Sequence, residues 1–180
     1  MEPARHGTLD HSEAPLIHLR QGEYFVSDSR AAVVCTVLGS CVAVTMHAPE
    51  LGIGAMNHGV LPYRASFQRH RRGEAGYFVD SATELIHGEM LRAGADPGRL
   101  EVRVFGAARV LCTGRGGEGF RVGPQNSVAV LETLGRLGLE ALTVDLGGER
   151  GRKLVYSPRT GETWAKKLVR NGGSREERHA

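Results

Sequence analysis

Short apolar runs rich in β-branched residues, separated by glycines and polar turns, fill the first third of the chain. Ile17-His-Leu19 and Tyr24-Phe-Val26 are brief strand candidates. Ala31 to Leu38 and Cys41 to Met46 are longer ones, because valine and threonine suit a pleated, packed surface. Leu51 to Leu61 is apolar but interrupted by Gly52, Gly54 and Gly59, the pattern of a strand that bends or is closely approached by other backbone. The period then changes. Phe78, Ala82, Leu85, Ile86, Met90 and Ala93 fall near helical spacing and predict an amphipathic helix, with Gly94 as its stop. Leu100 to Phe105 alternates as a strand, and a glycine-rich loop, Thr113 to Gly119, follows. Asn126 or Ser127 is placed to cap a second helix through Leu137, with Val128, Val130, Leu131 and Leu134 on its apolar side. Leu139 to Leu146 reads as a strand ending in Gly147-Gly148. Lys153 to Tyr156 and Glu162 to Leu168 flank Ser157-Pro-Arg-Thr-Gly161, a good hairpin turn.

Strands therefore outnumber helices, and their connections favour antiparallel pairing over regular βαβ alternation. The expected class is α+β: a mixed α/β sandwich in which a mostly antiparallel or mixed sheet carries two main helices. Residues 15–169 form the expected single domain, and the polar stretches 1–14 and 170–180 read as disordered tails. Composition agrees with one ordinary core: 41% hydrophobic residues and a net charge of +3 exclude disorder throughout. No apolar run approaches the roughly 20 residues that span a bilayer, and Met1 to Pro15 lacks the apolar segment of a secretory signal. Three cysteines in a chain large enough to fold without staples read as reduced thiols, hence a cytoplasmic location. Glycine stands out, with 25 of 180 residues, and predicts many tight turns and close backbone approaches.

The densest chemistry lies in Thr36-Val-Leu-Gly-Ser-Cys-Val-Ala-Val44 and Gly54-Ala-Met-Asn-His-Gly-Val-Leu-Pro62. A Gly39-Ser40 turn puts the Cys41 sulfur at the start of a strand, beside backbone N–H groups able to hold an oxyanion. A thiol is only slightly ionised at neutral pH, so it needs a base, and His58 on the neighbouring strand is the candidate. The same residues also read as a small buried hydrophobe and a satisfied core histidine. Cys35 and Cys112 sit inside apolar runs and read as packing. Eight histidines are present without any metal-ligand spacing; His87 falls on the polar side of the first helix and His70 in a basic loop. No metal and no cofactor is expected. Gly114 to Gly119 matches G-x-G-x-x-G, but Phe120-Arg-Val-Gly-Pro-Gln stands between it and any helical pattern, which argues against a dinucleotide. Arg69-His-Arg-Arg72, with Arg64 nearby, is a basic patch; without an aromatic platform it reads as a solvated loop rather than a nucleic-acid surface.

Leu38-Gly-Ser-Cys-Val-Ala-Val44, Gly54-Ala-Met-Asn-His58 and Leu61-Pro62 come in fixed order. Val104-Phe-Gly-Ala107, Gly123 with Asn126, Asp145-Leu-Gly-Gly148 and Gly151-Arg-Lys153 follow. In this combination the chain resembles the CheD family of chemoreceptor glutamine deamidases, from about Ile17 to Leu168. The resemblance implies a cysteine amidohydrolase, a protein-glutamine glutaminase, that converts receptor glutamines to glutamates with Cys41 as nucleophile and His58 as base. Gly39 and Ser40 would support the oxyanion, and glutamyl methyl esters would be further substrates. It also implies a threonine shortly before the cysteine as third member. Thr36 is the nearest, while the preceding position is Cys35; consecutive strand residues face opposite sides, so one residue of register decides between them. Two positions depart from the family pattern: Phe-Gly-Gly-Ala reads Phe105-Gly-Ala-Ala, and the arginine before Asn126 is Gln125. The implied partners are the cytoplasmic helical region of methyl-accepting chemotaxis receptors and a CheC-type phosphatase, with no nucleic acid and no membrane insertion. The alternative is a non-catalytic regulatory module that docks to those receptors or that phosphatase.

Overall fold

The structure is a computed structural model, and it describes residues 14–27, 31–66, 75–109 and 119–169. Among the described residues nine strands fall into two sheets. β3 (Val33–Leu38) and β8 (Arg152–Tyr156) are the antiparallel centre of a four-stranded sheet. β1 (Leu16–His18) adds to β3 in parallel, and β9 (Thr163–Lys167) closes the other side as the hairpin expected around Ser157–Gly161. The five-stranded sheet has the order β2 (Tyr24–Val26), β5 (Ile53–Asn57), β4 (Val42–Ala48), β6 (Glu101–Gly106), β7 (Ala141–Leu146). Only the β6–β7 pair in it is parallel. With two helices, α1 (Val79–Arg92) and α2 (Gly119–Leu137), this is the expected α+β class with mixed sheets.

Burial explains the layering. Every residue of β4 and β5 is buried, so the five-stranded sheet is covered on both faces. On one face Val42, Val44 and Met46 of β4 and Val102 and Val104 of β6 pack with Val79, Ile86 and Met90 of α1 and Val130 and Leu134 of α2. On the other, Ala43, Met56 and Phe105 meet Val34, Leu38, Leu154 and Tyr156 of the four-stranded sheet. Arg152 is fully buried and joins the sheets. It donates two bonds to Asp145 at the end of β7 (2.8 and 3.0 Å) and others to the Gly106 and Gly147 carbonyls. Four of the five guanidinium N–H donors thus find acceptors, which offsets much of the cost of burying the group.

α1 starts and stops as its pattern predicts, with Gly94 at φ +93° just past its end. α2 does not. It begins at Gly119, runs through Pro124, and carries Asn126 and Ser127 in its interior rather than at its cap. Tertiary contact overrides the local signals: a side chain at Gly123 would sit 2.6 Å from the Ala108 carbonyl and 2.8 Å from that of Ala107, so glycine lets the helix lie against this loop. The early start also changes the reading of the glycine fingerprint, because its last glycine does open a helix, within a β6–α2–β7 parallel crossover. What departs from a dinucleotide site is the interval after β6: the strand ends at Gly106, well before Gly114. Gly114 to Glu118, Cys112, His70 and Arg69 to Arg72 lie outside the described residues, as do the two expected tails save Ala14.

Candidate active site

The site lies where the β3–β4 turn and the end of the β4–β5 hairpin meet the turn between β1 and β2. Val42 and Gly59 exchange both backbone hydrogen bonds (2.9 and 2.8 Å), extending the hairpin by one step. Alternation then puts Cys41, Ala43 and His58 on the opposite face from Val42, the face that meets the four-stranded sheet. Cys41 and His58 thus stand one diagonal step apart on adjacent strands. Both are buried, at 6% and 3% exposure.

The facing sheet supplies the third group. On β3, Val34, Thr36 and Leu38 point inward, and the Thr36 Oγ1 lies 2.7 Å from His58 Nδ1. Cys35 points the other way, where its Sγ lies 3.1 Å from His18 Nδ1. The one-residue question of register therefore falls to Thr36 as the partner of His58. The Thr36 hydroxyl spends its single hydrogen on the Leu19 carbonyl, 2.8 Å away. It can then only accept from His58, which fixes the proton on Nδ1 and leaves the lone pair on Nε2. That Nε2 is buried and has no hydrogen-bond partner among the described residues.

The loop carrying Cys41 is held from behind by its carbonyls. Ala108 N–H bonds the Gly39 carbonyl (2.8 Å), Ala107 N–H bonds that of Cys41 (2.7 Å), and Asn126 Nδ2 bonds that of Ser40 (2.9 Å). The same Asn126 nitrogen donates to the Val60 carbonyl (2.9 Å), so one fully buried amide ties the cysteine loop to the segment after His58. Gly106, at φ +120°, is packed so closely on the Cys41 carbonyl that any side chain there would collide with it. Ala107 follows at φ +55°, a left-handed conformation that glycine adopts with less strain. Gly39 and Ser40 themselves are half-buried.

Burial sets the electrostatics. It pushes the Cys41 thiol above its ordinary value, against a smaller lowering by the thiol's own backbone N–H. It pulls His58 below the usual imidazole range, outweighing the Leu19 carbonyl and the Glu23 charge, which act the other way. At neutral pH the resting site is therefore an uncharged thiol and an uncharged imidazole. A groove of about 410 Å³ reaches His58 and Thr36 and is lined also by His18, Leu19, Arg20, Gln21, Cys35, Val37 and Lys153.

Two residues escaped the sequence reading. Asn126 stands out as a helix cap and, with Gly123, as a block of the resemblance, but nothing in its neighbours reveals the long-range bonds to Ser40 and Val60. Gln21 carries no local signal, yet its Nε2 lies 3.9 Å from Cys41 Sγ. His87 also differs from expectation: it is half-buried rather than solvated, its Nε2 has no partner among the described residues, and burial lowers its pKa. Among the described residues no three His, Cys, Asp or Glu side chains group to hold a metal ion, and no helix is long and apolar enough to cross a membrane.

Fold and site together define a three-layer α+β protein in which a buried thiol and an imidazole lie on neighbouring strands, and the imidazole, bonded to a threonine hydroxyl, lines an open groove with it. A model of the family described as CheD chemotactic sensory transduction matches residues 60–167. A protein of Oleidesulfovibrio alaskensis named "Probable chemoreceptor glutamine deamidase CheD" is 38% identical over 93% of this chain and 81% of its own length. Proteins of the same name from Rhizobium rhizogenes and Rhizobium etli are 38% and 39% identical, each over 81% of this chain and 76% of its own length. The chain belongs to the CheD family.

Proposed function

We propose that the protein deamidates glutamine side chains of methyl-accepting chemotaxis receptors in the cytoplasm through a Cys41 thioester. The family membership supports the reaction and its substrate. The observation that carries the mechanism is the Leu19–Thr36–His58 chain of hydrogen bonds, which leaves an unoccupied basic nitrogen on the face that holds the buried thiol.

As the substrate amide seats, His58 Nε2 takes the thiol proton and Cys41 Sγ attacks the side-chain carbonyl carbon. Both groups are neutral at rest, so the ion pair forms only with substrate bound. The tetrahedral intermediate collapses when the imidazolium gives its proton to the departing nitrogen, releasing ammonia and leaving a thioester. Water, deprotonated by the now neutral His58, attacks the thioester. Collapse expels the thiolate, which regains its proton from His58, and leaves glutamate. A glutamyl methyl ester would follow the same course with methanol as leaving group. The Ser40–Cys41 backbone N–H groups would bind the oxyanion, with the carbonyls of the same loop already engaged by Ala107, Ala108 and Asn126.

The test is Cys41→Ala with a purified receptor cytoplasmic fragment, read by mass for the gain of about 1 Da that turns an amide into an acid. Conversion is expected to fall by at least about 10³-fold, the scale seen when a covalent nucleophile is removed. Conversion at the wild-type rate would remove Cys41 from the reaction.

A further inference from the structure

Gln21 is an exposed side chain at the tip of the turn between β1 and β2, and it lines the same groove as Thr36 and His58. Its Nε2 approaches Cys41 Sγ to 3.9 Å. Sulfur is a weak acceptor, so this contact leaves the amide N–H free for a better one. A carbonyl carbon bonded to Sγ carries its oxygen within about 3 Å of the sulfur. A donor 3.9 Å from Sγ comes within the roughly 2.7–3.1 Å that stabilises a developing oxyanion when that oxygen is directed toward Gln21.

Stabilisation of this kind depends on a donor that is already in place, and the turn is held. Gly22 N–H bonds the His58 carbonyl (2.9 Å), and His58 N–H bonds the Glu23 carbonyl (3.0 Å). Within the turn, Glu23 N–H bonds the Arg20 carbonyl (3.1 Å), and Arg20 N–H bonds the Glu23 carboxylate (2.8 Å). The turn bearing Gln21 is therefore fastened by main-chain bonds to the residue that serves as base, and its side chain takes no part in that fastening. From this we infer that Gln21 is a catalytic residue: its carboxamide N–H donates to the oxyanion formed on Cys41, together with the local backbone. The inference rests on the Cys41 thioester reading, because the oxyanion exists only if Cys41 is the nucleophile.

Deamidation and thiol alkylation separate the possibilities. Iodoacetamide is attacked at a saturated carbon, so its reaction with Cys41 builds no oxyanion. Gln21→Ala is expected to lower kcat on the receptor fragment about 10²–10³-fold, leaving KM within about threefold and the Cys41 alkylation rate within about twofold. Gln21→Glu, equal in size but without the donor, is expected to fall at least as far. Main-chain bonds hold the turn, so both variants keep the wild-type thermal midpoint. A kcat loss of less than tenfold, or a gain (the carboxamide then being an internal obstruction), overturns the inference. So does an alkylation rate that falls in step with deamidation. Cys41→Ala run alongside keeps the two claims apart: activity surviving there sinks the thioester reading itself, whereas activity lost there but retained in Gln21→Ala sinks only the role of Gln21.

Discussion

At the scale of single residues, burial decides the protonation state and one hydroxyl decides the tautomer. Because burial holds His58 below the usual imidazole value, the base stays neutral into mildly acidic solution. The acidic limb of kcat/KM is therefore expected below pH ~6.5, the ordinary imidazole value. Stability falls with pH over the same range: the unfolded chain takes up the proton first as pH drops below ~6.5, so folding weakens until the native imidazole titrates. Thr36→Ala removes the acceptor of the Nδ1 proton, and kcat is expected to fall about 10²-fold, the scale on which a misoriented base costs. Thr36→Ser, which keeps the hydroxyl, should recover most of that loss. A pH–rate series on the three proteins checks both points; an Ala variant indistinguishable from wild type would leave Thr36 a mere core residue.

Among the elements, α2 reaches furthest into the site without lying on it. Asn126 bridges Ser40 and Val60 from inside the helix and holds together the two chain segments that carry Cys41 and His58. Asn126→Ala would leave two half-buried carbonyls without this donor, at up to roughly 1–3 kcal/mol each. We expect a lower urea midpoint and, in the fraction still folded, reduced deamidation with the pH profile retained. Asn126→Asp, which keeps the shape but loses the donors, should behave likewise. Urea titration together with activity at low temperature measures this, and unchanged values would mean that the bridge does not position the site.

Across the whole molecule, what the sequence reveals follows the range of the interaction that determines it. Alternation and turn chemistry are local, so the strands, the β8–β9 hairpin and α1 are all legible from their own residues. Cys41 and His58 are legible as a pair because a single hairpin carries both. Thr36 is half-legible: its face follows from strand alternation, but its register against His58 depends on how the two sheets stack. Gln21, Asn126 and the Arg152–Gly106 contact join segments far apart along the chain, and no local pattern announces them. The start of α2 misleads for the same reason, since Gly123 answers to Ala107 and Ala108 rather than to its own neighbours.

The proposed covalent bond at the Cys41 sulfur can be tested directly. The measurement is the intact mass of the protein after rapid mixing with a receptor glutamine peptide and an acid quench. A species heavier by the peptide less ammonia, about 17 Da, mapped to the Cys41 peptide and decaying as glutamate appears, is the predicted result. Glutamate forming at the full rate with no adduct at Cys41 at any time, and undiminished after Cys41 has been alkylated, would contradict the account.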